Sequence, residues 1–163
     1  HTRHDHVTHL EIIMSTLREH ILYAKLSKFH FWMDQIHFLG HVISEEGVSV
    51  DPEKVRAVVS WEQPKNVFEV RSFLGLAGYY RRFIQDFSRL AAPLTGLTKK
   101  GAKFLWSDSC ESAFQELKGR LTSALIQVLP APDKNYTVYC DASGIRLRVV
   151  LMQGERVVAY ESR

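Results

Sequence analysis

Three groups of residues in this chain carry side chains able to do chemistry. Asp141 closes the apolar run Tyr139-Cys140 and is followed by the small residues Ala142 and Ser143. Its carboxylate suits a hard cation, but Mg²⁺ takes several oxygen ligands and one carboxylate cannot assemble a site. On the residues alone, Asp141 reads as a strand-end aspartate in a turn. His1, His4, His6 and His9 form the second group. Imidazoles three apart on a helix can share a face and a metal, yet no Cys or acid completes a convincing set. The third group is Arg71, Gly75, Gly78 and Arg82. At ~100° per residue these fall within about 60° of one another on a helix, and Gln85 and Arg89 extend the stripe. Two interior glycines cost roughly 1 kcal/mol each relative to Ala, so something compensates. A bare helix surface flanked by guanidinium groups lets a nucleic-acid backbone come close while Arg contacts phosphate. The alternative is close helix packing over the glycines, against which the arginines at both ends of the stripe argue.

Charge places the stripe in a basic setting. Residues 1–50 carry four Lys/Arg against six Asp/Glu, residues 51–103 ten against five, and residues 104–163 seven against seven. A basic middle between near-neutral flanks is a candidate polyanion footprint. The 163 residues are 45% hydrophobic and 24% charged, which allows a core and excludes wholesale disorder. No apolar run approaches a membrane span, so no membrane partner is expected. Cys110 and Cys140 lie far apart without a CxxC pair, which predicts two reduced thiols and an intracellular setting. The chain opens on His1 rather than Met and reads as an excerpt from something longer.

The elements that must position these groups follow from periodicity. Val7, Leu10, Ile13, Met14, Leu17 and Ile21 recur at helical spacing. Phe29–Trp32 and Ile36–Ile43 are rich in aromatic and β-branched residues, and Met33-Asp34-Gln35 between them predicts a hairpin. Glu45-Glu46-Gly47 signals a turn, and Val48–Val50 a short strand. Asp51-Pro52-Glu53 opens a short helix ending near Trp61. Asn66 with Glu69 resembles a capping box for a long helix running to about Phe87, with Val70, Phe73, Ala77, Tyr80, Ile84 and Phe87 facing the core. Pro93 interrupts the chain. Ser107 caps a further helix that buries Phe114, Leu117 and Leu121, and Pro130 and Pro132 mark a linker. Tyr136–Cys140, Leu147–Met152 and Val157–Tyr160 then read as three strands.

Four motifs occur in the order and spacing of Ty3/gypsy-type retrotransposon polyproteins. They are Phe38-Leu39-Gly40-His41, the run from Arg71 through Gly78-Tyr79-Tyr80-Arg81-Arg82 to Ile84, Ala92-Pro93-Leu94-Thr95, and Tyr139-Cys140-Asp141-Ala142-Ser143. The resemblance implies an α+β fold: a palm-end helix and β-hairpin, a helical thumb, then the first strands of a ribonuclease H-like mixed sheet. It implies boundaries of 1–50 for the end of the reverse transcriptase palm, 51–98 for the thumb, 99–133 for a connecting segment and 134–163 for a truncated ribonuclease H-like domain. It casts Phe38, Leu39, Gly40 and His41 as a primer grip, and Asp141 as the first of four acids that bind two Mg²⁺ ions for phosphodiester cleavage. The polymerase's paired aspartates are expected before His1 and the other nuclease acids after Arg163. The family commonly carries histidine at the positions of His6 and His9, which implies surface histidines flanking a helix start.

The function implied is a share of RNA-directed DNA synthesis coupled to RNA degradation. This segment grips an RNA/DNA hybrid or DNA duplex and works with the rest of its polyprotein. Alone it is expected to be inactive and not to hold Mg²⁺ tightly. The rivals are a non-catalytic nucleic-acid-binding remnant and a degenerate fragment. Departures from the family pattern bear on the second: glycines are usual at Arg146 and Arg148, a proline at Leu125, a cysteine at Phe29 and an alanine at Glu161. Single C-to-T changes reach the first three, which reads as a decaying copy with a damaged ribonuclease H domain.

Overall fold

A computed structural model describes residues 2–124, 126–144 and 146–163. The expectations placed on His1 and Leu125 lie outside the described residues. The chain divides into two compact units, one through Ile36 and one from His37 to Arg163.

The first unit is built on helix α1 (Arg3–Glu19). Thr2 Oγ1 accepts from the Asp5 N–H, and the Asp5 carboxylate accepts from the Thr2 N–H, so each satisfies a group the helix start leaves open. The apolar repeat runs along α1 as its periodicity predicts, but none of its seventeen residues is buried. The predicted strand at Phe29–Trp32 does not form. A 3-10 turn at Leu26–Lys28 precedes it, the rings of Phe29 and Phe31 stack at 5.4 Å, and Trp32 takes a left-handed φ of 53°. Its ring meets His6 edge-on at 5.5 Å. Ring contacts there replace ladder hydrogen bonds.

The chain passes into the second unit within strand β1 (Gln35–Phe38), which heads a sheet of order β1-β2-β3 with β2 (His41–Ser44) and β3 (Gly47–Val50). The hairpin turn is therefore Leu39-Gly40, not Met33-Asp34-Gln35. Leu39 at φ 48° and Gly40 at φ 73° form the two-residue left-handed turn whose twist matches the flanking strands. β3 is covered on its outer side: Val48 and Gln127 exchange N–H···O bonds of 2.7 and 2.9 Å. A Cβ on Gly47 would stand 2.1 Å from the Gln127 carbonyl oxygen, so only glycine fits there.

Helix α2 (Pro52–Val59) starts where Asp51 Oδ1 accepts the Glu53 N–H at 2.8 Å. Helix α3 (Val67–Tyr79) is capped by Asn66, which accepts the Glu69 N–H; the Glu69 carboxylate reaches back to the Lys65 N–H, one residue earlier than a standard capping box. The long helix predicted to Phe87 is broken. It ends at Tyr79, a 3-10 turn spans Arg81–Phe83, and Asp86 at φ 59° starts α4 (Phe87–Leu97). Tyr80, Phe83 and Ile84, at and after the break, are all buried in one core. Pro93 lies inside α4 and does not interrupt it. The lost backbone bond is offset by burial of Ala91, Leu94 and Leu97. Helix α5 (Asp108–Thr122) is capped by Ser107 and buries Phe114, Leu117 and Leu121 as predicted; the Phe73 and Phe114 rings meet at 4.7 Å.

Strands β4 (Thr137–Ser143), β5 (Arg146–Gln153) and β6 (Arg156–Ser162) form an antiparallel meander with a bulge at Leu151/Met152. β6 lies against the 3-10 turn and α4: Ser88 bonds Ser162 through its N–H at 2.9 Å and its hydroxyl at 2.7 Å. The fold class is α+β. Cys110 is buried and Cys140 exposed, both as free thiols. No helix among the described residues is long and apolar enough to cross a membrane.

Candidate nucleic-acid interface

The hairpin turn is fixed to the end of α3 by two tyrosines. Tyr79 donates its hydroxyl to the Leu39 carbonyl at 2.5 Å, and Tyr80 donates to the Gly40 carbonyl at 2.7 Å. Burial pushes the Tyr80 hydroxyl up to about 12, with Tyr79 and Asp51 adding to the shift, so it stays a donor throughout the ordinary pH range. The Leu39 carbonyl accepts a second time, from His41 Nδ1 at 2.9 Å. The His41 ring then packs 5.4 Å from both tyrosine rings and 5.8 Å from Phe83. A Cβ on Gly40 would meet the Tyr80 hydroxyl at 2.8 Å, so glycine is required both for backbone conformation and for this approach. Phe38 and Leu39 remain 58% and 71% exposed, open to a partner.

Leu39, Gly40 and His41 are thus brought to the C-terminal turn of α3, beside Gly78. Arg71, Gly75 and Tyr79 recur at four-residue spacing on that helix and share a face. A Cβ at Gly75 would meet nothing within 4 Å, and one at Gly78 only Phe87 Cζ at 3.9 Å. Close helix packing over these glycines is therefore absent among the described residues. Arg71 is exposed and gives one bond, from Nη2 to the Thr98 carbonyl at 3.0 Å, which steadies it and leaves most of its donors.

Arg82 departs from the predicted stripe. Because α3 ends at Tyr79, Arg82 turns inward: Nε donates to Gln127 Oε1 at 3.0 Å and Nη2 to the Val158 carbonyl at 3.0 Å. Gln127, 3% exposed, returns a bond from its side-chain amide to the Arg82 carbonyl. Arg81 likewise pairs with Glu161 and bonds the Ser162 carbonyl. Gln85 and Arg89 are separated from α3 by the same break. The face that remains runs Arg71, Gly75, Gly78, Tyr79, Leu39. Tyr79, Tyr80 and Gln127 escape a sequence reading: tyrosines at core spacing give no sign that their hydroxyls hold a turn forty residues away.

Asp141 stands opposite Arg148 in the β4–β5 ladder. Its carboxylate is held by the Arg148 guanidinium, which also lies 3.6 Å from Asp86 Oδ2. Among the described residues no three His, Cys, Asp or Glu side chains converge as a metal set. The donors present do not fit a Mg²⁺ site: the one carboxylate in question is already neutralised by a cation. On α1, His4 and His9 are exposed and His6 half-buried against Trp32.

With this geometry in view, the chain can be set beside the proteins it resembles. Residues 106–163 match the RNase H-like domain found in reverse transcriptase. An uncharacterized mitochondrial protein of Arabidopsis thaliana is 43% identical over 126 residues, covering 76% of this chain and 79% of that protein. The Pol polyprotein of transposon gypsy from Drosophila melanogaster is 34% identical over 172 residues, covering 98% of this chain. The chain belongs to the Ty3/gypsy-type retrotransposon polyprotein family. It spans 16% of the gypsy polyprotein and 15% of that of transposon 297, to which it is 34% identical. The family fold extends to a foamy viral protease–reverse transcriptase solved in complex with double-stranded DNA. That structure superposes with a TM-score of 0.86 at 24% identity, covering 99% of this chain and 29% of that one. The same enzyme with an RNA/DNA hybrid gives 0.85.

Proposed function

We propose that this segment grips a primer–template duplex for a polyprotein that copies RNA into DNA, with the face Arg71, Gly75, Gly78, Tyr79, Leu39 laid along the sugar–phosphate backbone. One observation carries the reading: among the described residues a side chain at Gly75 of α3 would meet nothing and one at Gly78 only the ring edge of Phe87, and the exposed hairpin turn is bonded to the end of that same helix. A helix that forgoes side chains on an open surface gains closeness to something outside. Contacts of this kind go to backbone and fix position without reading sequence. Duplex contact in the foamy viral complexes is compatible with it. Arg82 serves the grip indirectly, by holding the 3-10 turn behind α3.

Gly75→Val tests this directly, because fold and function should move in opposite directions. Adding a side chain to an exposed helix interior removes a glycine penalty of roughly 0.5 kcal/mol, so the melting temperature should rise slightly. The same side chain should hold the duplex away, and fluorescence anisotropy on a labelled RNA/DNA hybrid should show at least ten-fold weaker binding. Unchanged affinity in Gly75→Val and in Arg71→Ala, with helicity intact by circular dichroism, would remove the grip from this face.

A further inference from the structure

The seam between the first turn of α4 and strand β5 holds a cavity of about 190 Å³ into which Arg89, Arg146, Arg148 and Arg163 all face. Among the described residues Asp86 is the one Asp or Glu in its lining, with its Oδ2 4.0 Å from Arg89 and 3.6 Å from Arg148. Counting Asp141, which holds Arg148 from the ladder side, four guanidinium groups still face two carboxylates. Like charges gathered at one cavity repel unless an anion compensates them. Guanidinium forks match the oxygens of a phosphate, to which they give short charge-assisted hydrogen bonds. Asp86 and Asp141 fix Arg148 in place, so part of the ordering cost is met before any ligand arrives. Ser143 adds a hydroxyl donor to the lining, while the Ser88 hydroxyl is committed to the Ser162 carbonyl.

We infer that this cavity is a phosphate-binding pocket built by Arg89, Arg146, Arg148 and Arg163. It lies apart from the α3 face and does not depend on the grip. The phosphate belongs either to the backbone of a bound strand or to a free phosphate species, and the two sources are separable by experiment. Arg146 is the residue to change, because Arg148 also secures Asp141. In the whole chain, Arg146→Gln removes one charge while keeping a polar side chain.

In one arm, anisotropy on an RNA/DNA hybrid is followed from 0.05 to 0.3 M salt. A lost phosphate contact lowers the slope of log K against log salt by about 0.9 and weakens binding roughly five-fold at 0.15 M. In the other arm, inorganic phosphate at matched ionic strength should raise the melting temperature of the unaltered chain and not that of Arg146→Gln. A response in the first arm alone assigns the pocket to strand backbone, and in the second alone to free phosphate. No difference between Arg146→Gln and the unaltered chain in either arm overturns the inference. Arg71→Ala, run beside it, reports on the α3 face separately, so failure of one reading leaves the other visible.

Discussion

Helices α1 and α3 both repeat apolar residues every three or four positions, yet they meet different fates. None of the seventeen residues of α1 is buried, and Ile12, Ile13 and Met14 stand on its surface. In α3, Val70, Phe73 and Ala77 are wholly enclosed, with Phe73 edge-on to Phe114 of α5. Amphipathic spacing states that a helix has a side to hide; only the remainder of the fold decides whether anything hides it. The helices α2–α5 supply that cover for one another, whereas among the described residues none of α1 is buried, and exposed apolar surface of this sort promotes association.

The largest expected effect probes the enclosed side of this contrast. Phe73→Ala should cost about 3–5 kcal/mol in chemical denaturation, through lost contacts and the cavity left behind. Ile13→Ser should change stability by no more than about 0.5 kcal/mol while reducing self-association in sedimentation. If Ile13→Ser proves as costly as Phe73→Ala, α1 is covered in solution and the contrast fails.

An intermediate effect separates the two arginines once placed on one stripe. Arg82→Ala deprives Gln127 and the Val158 carbonyl of their donor, and an abandoned buried polar group costs about 1–3 kcal/mol. Arg71→Ala, on the exposed face, should leave stability within about 0.5 kcal/mol of the parent. Equal stability losses in the two variants would erase the distinction between clamp and contact.

The smallest effect is in acid. The Glu53 N–H, and after it His37, hold the Asp51 carboxyl below its usual range, while Gln115 and then Trp106 do the same for Glu111. A carboxyl whose folded pKa is depressed contributes stability that is full above the unfolded value, about 4, and is lost as pH falls through the folded value. Melting temperatures should therefore drop below about pH 4. Asp51→Asn should start lower at neutral pH and fall less steeply; an identical slope would show that Asp51 does not take part.

Much of this was legible in the sequence because local chemistry settles it. Asp51, Asn66 and Ser107 cap the helices they precede, and the buried positions Val70, Phe73, Ala77, Tyr80 and Ile84 follow from spacing alone. The family motifs pointed to the right relatives. What stayed hidden depended on distant partners. Tyr80, just past the end of α3, bonds Gly40, forty residues earlier, and Arg82 turns inward to Gln127, forty-five residues later. Helical periodicity continues past Tyr79, so the predicted stripe runs too far, through Arg82, Gln85 and Arg89. The hairpin was misplaced for a related reason: the aromatic run Phe29–Trp32 has strand composition, and Leu39 gives no local hint of a left-handed φ.

The covering of β3 by Gln127 has a temporal side. Val48 leaves the ribosome roughly 80 residues ahead of the partner that closes its edge, which at 5–20 residues per second is a wait of about 4–16 s. Throughout that interval β3 offers an unpaired row of N–H and C=O groups, the kind of template on which another nascent chain can add a strand. Gly47 admits no side chain once Gln127 has docked, so that docking tolerates no substitution at this position. Slow synthesis of residues 50–127 should therefore favour aggregation over folding, and a cap on the β3 edge should relieve it.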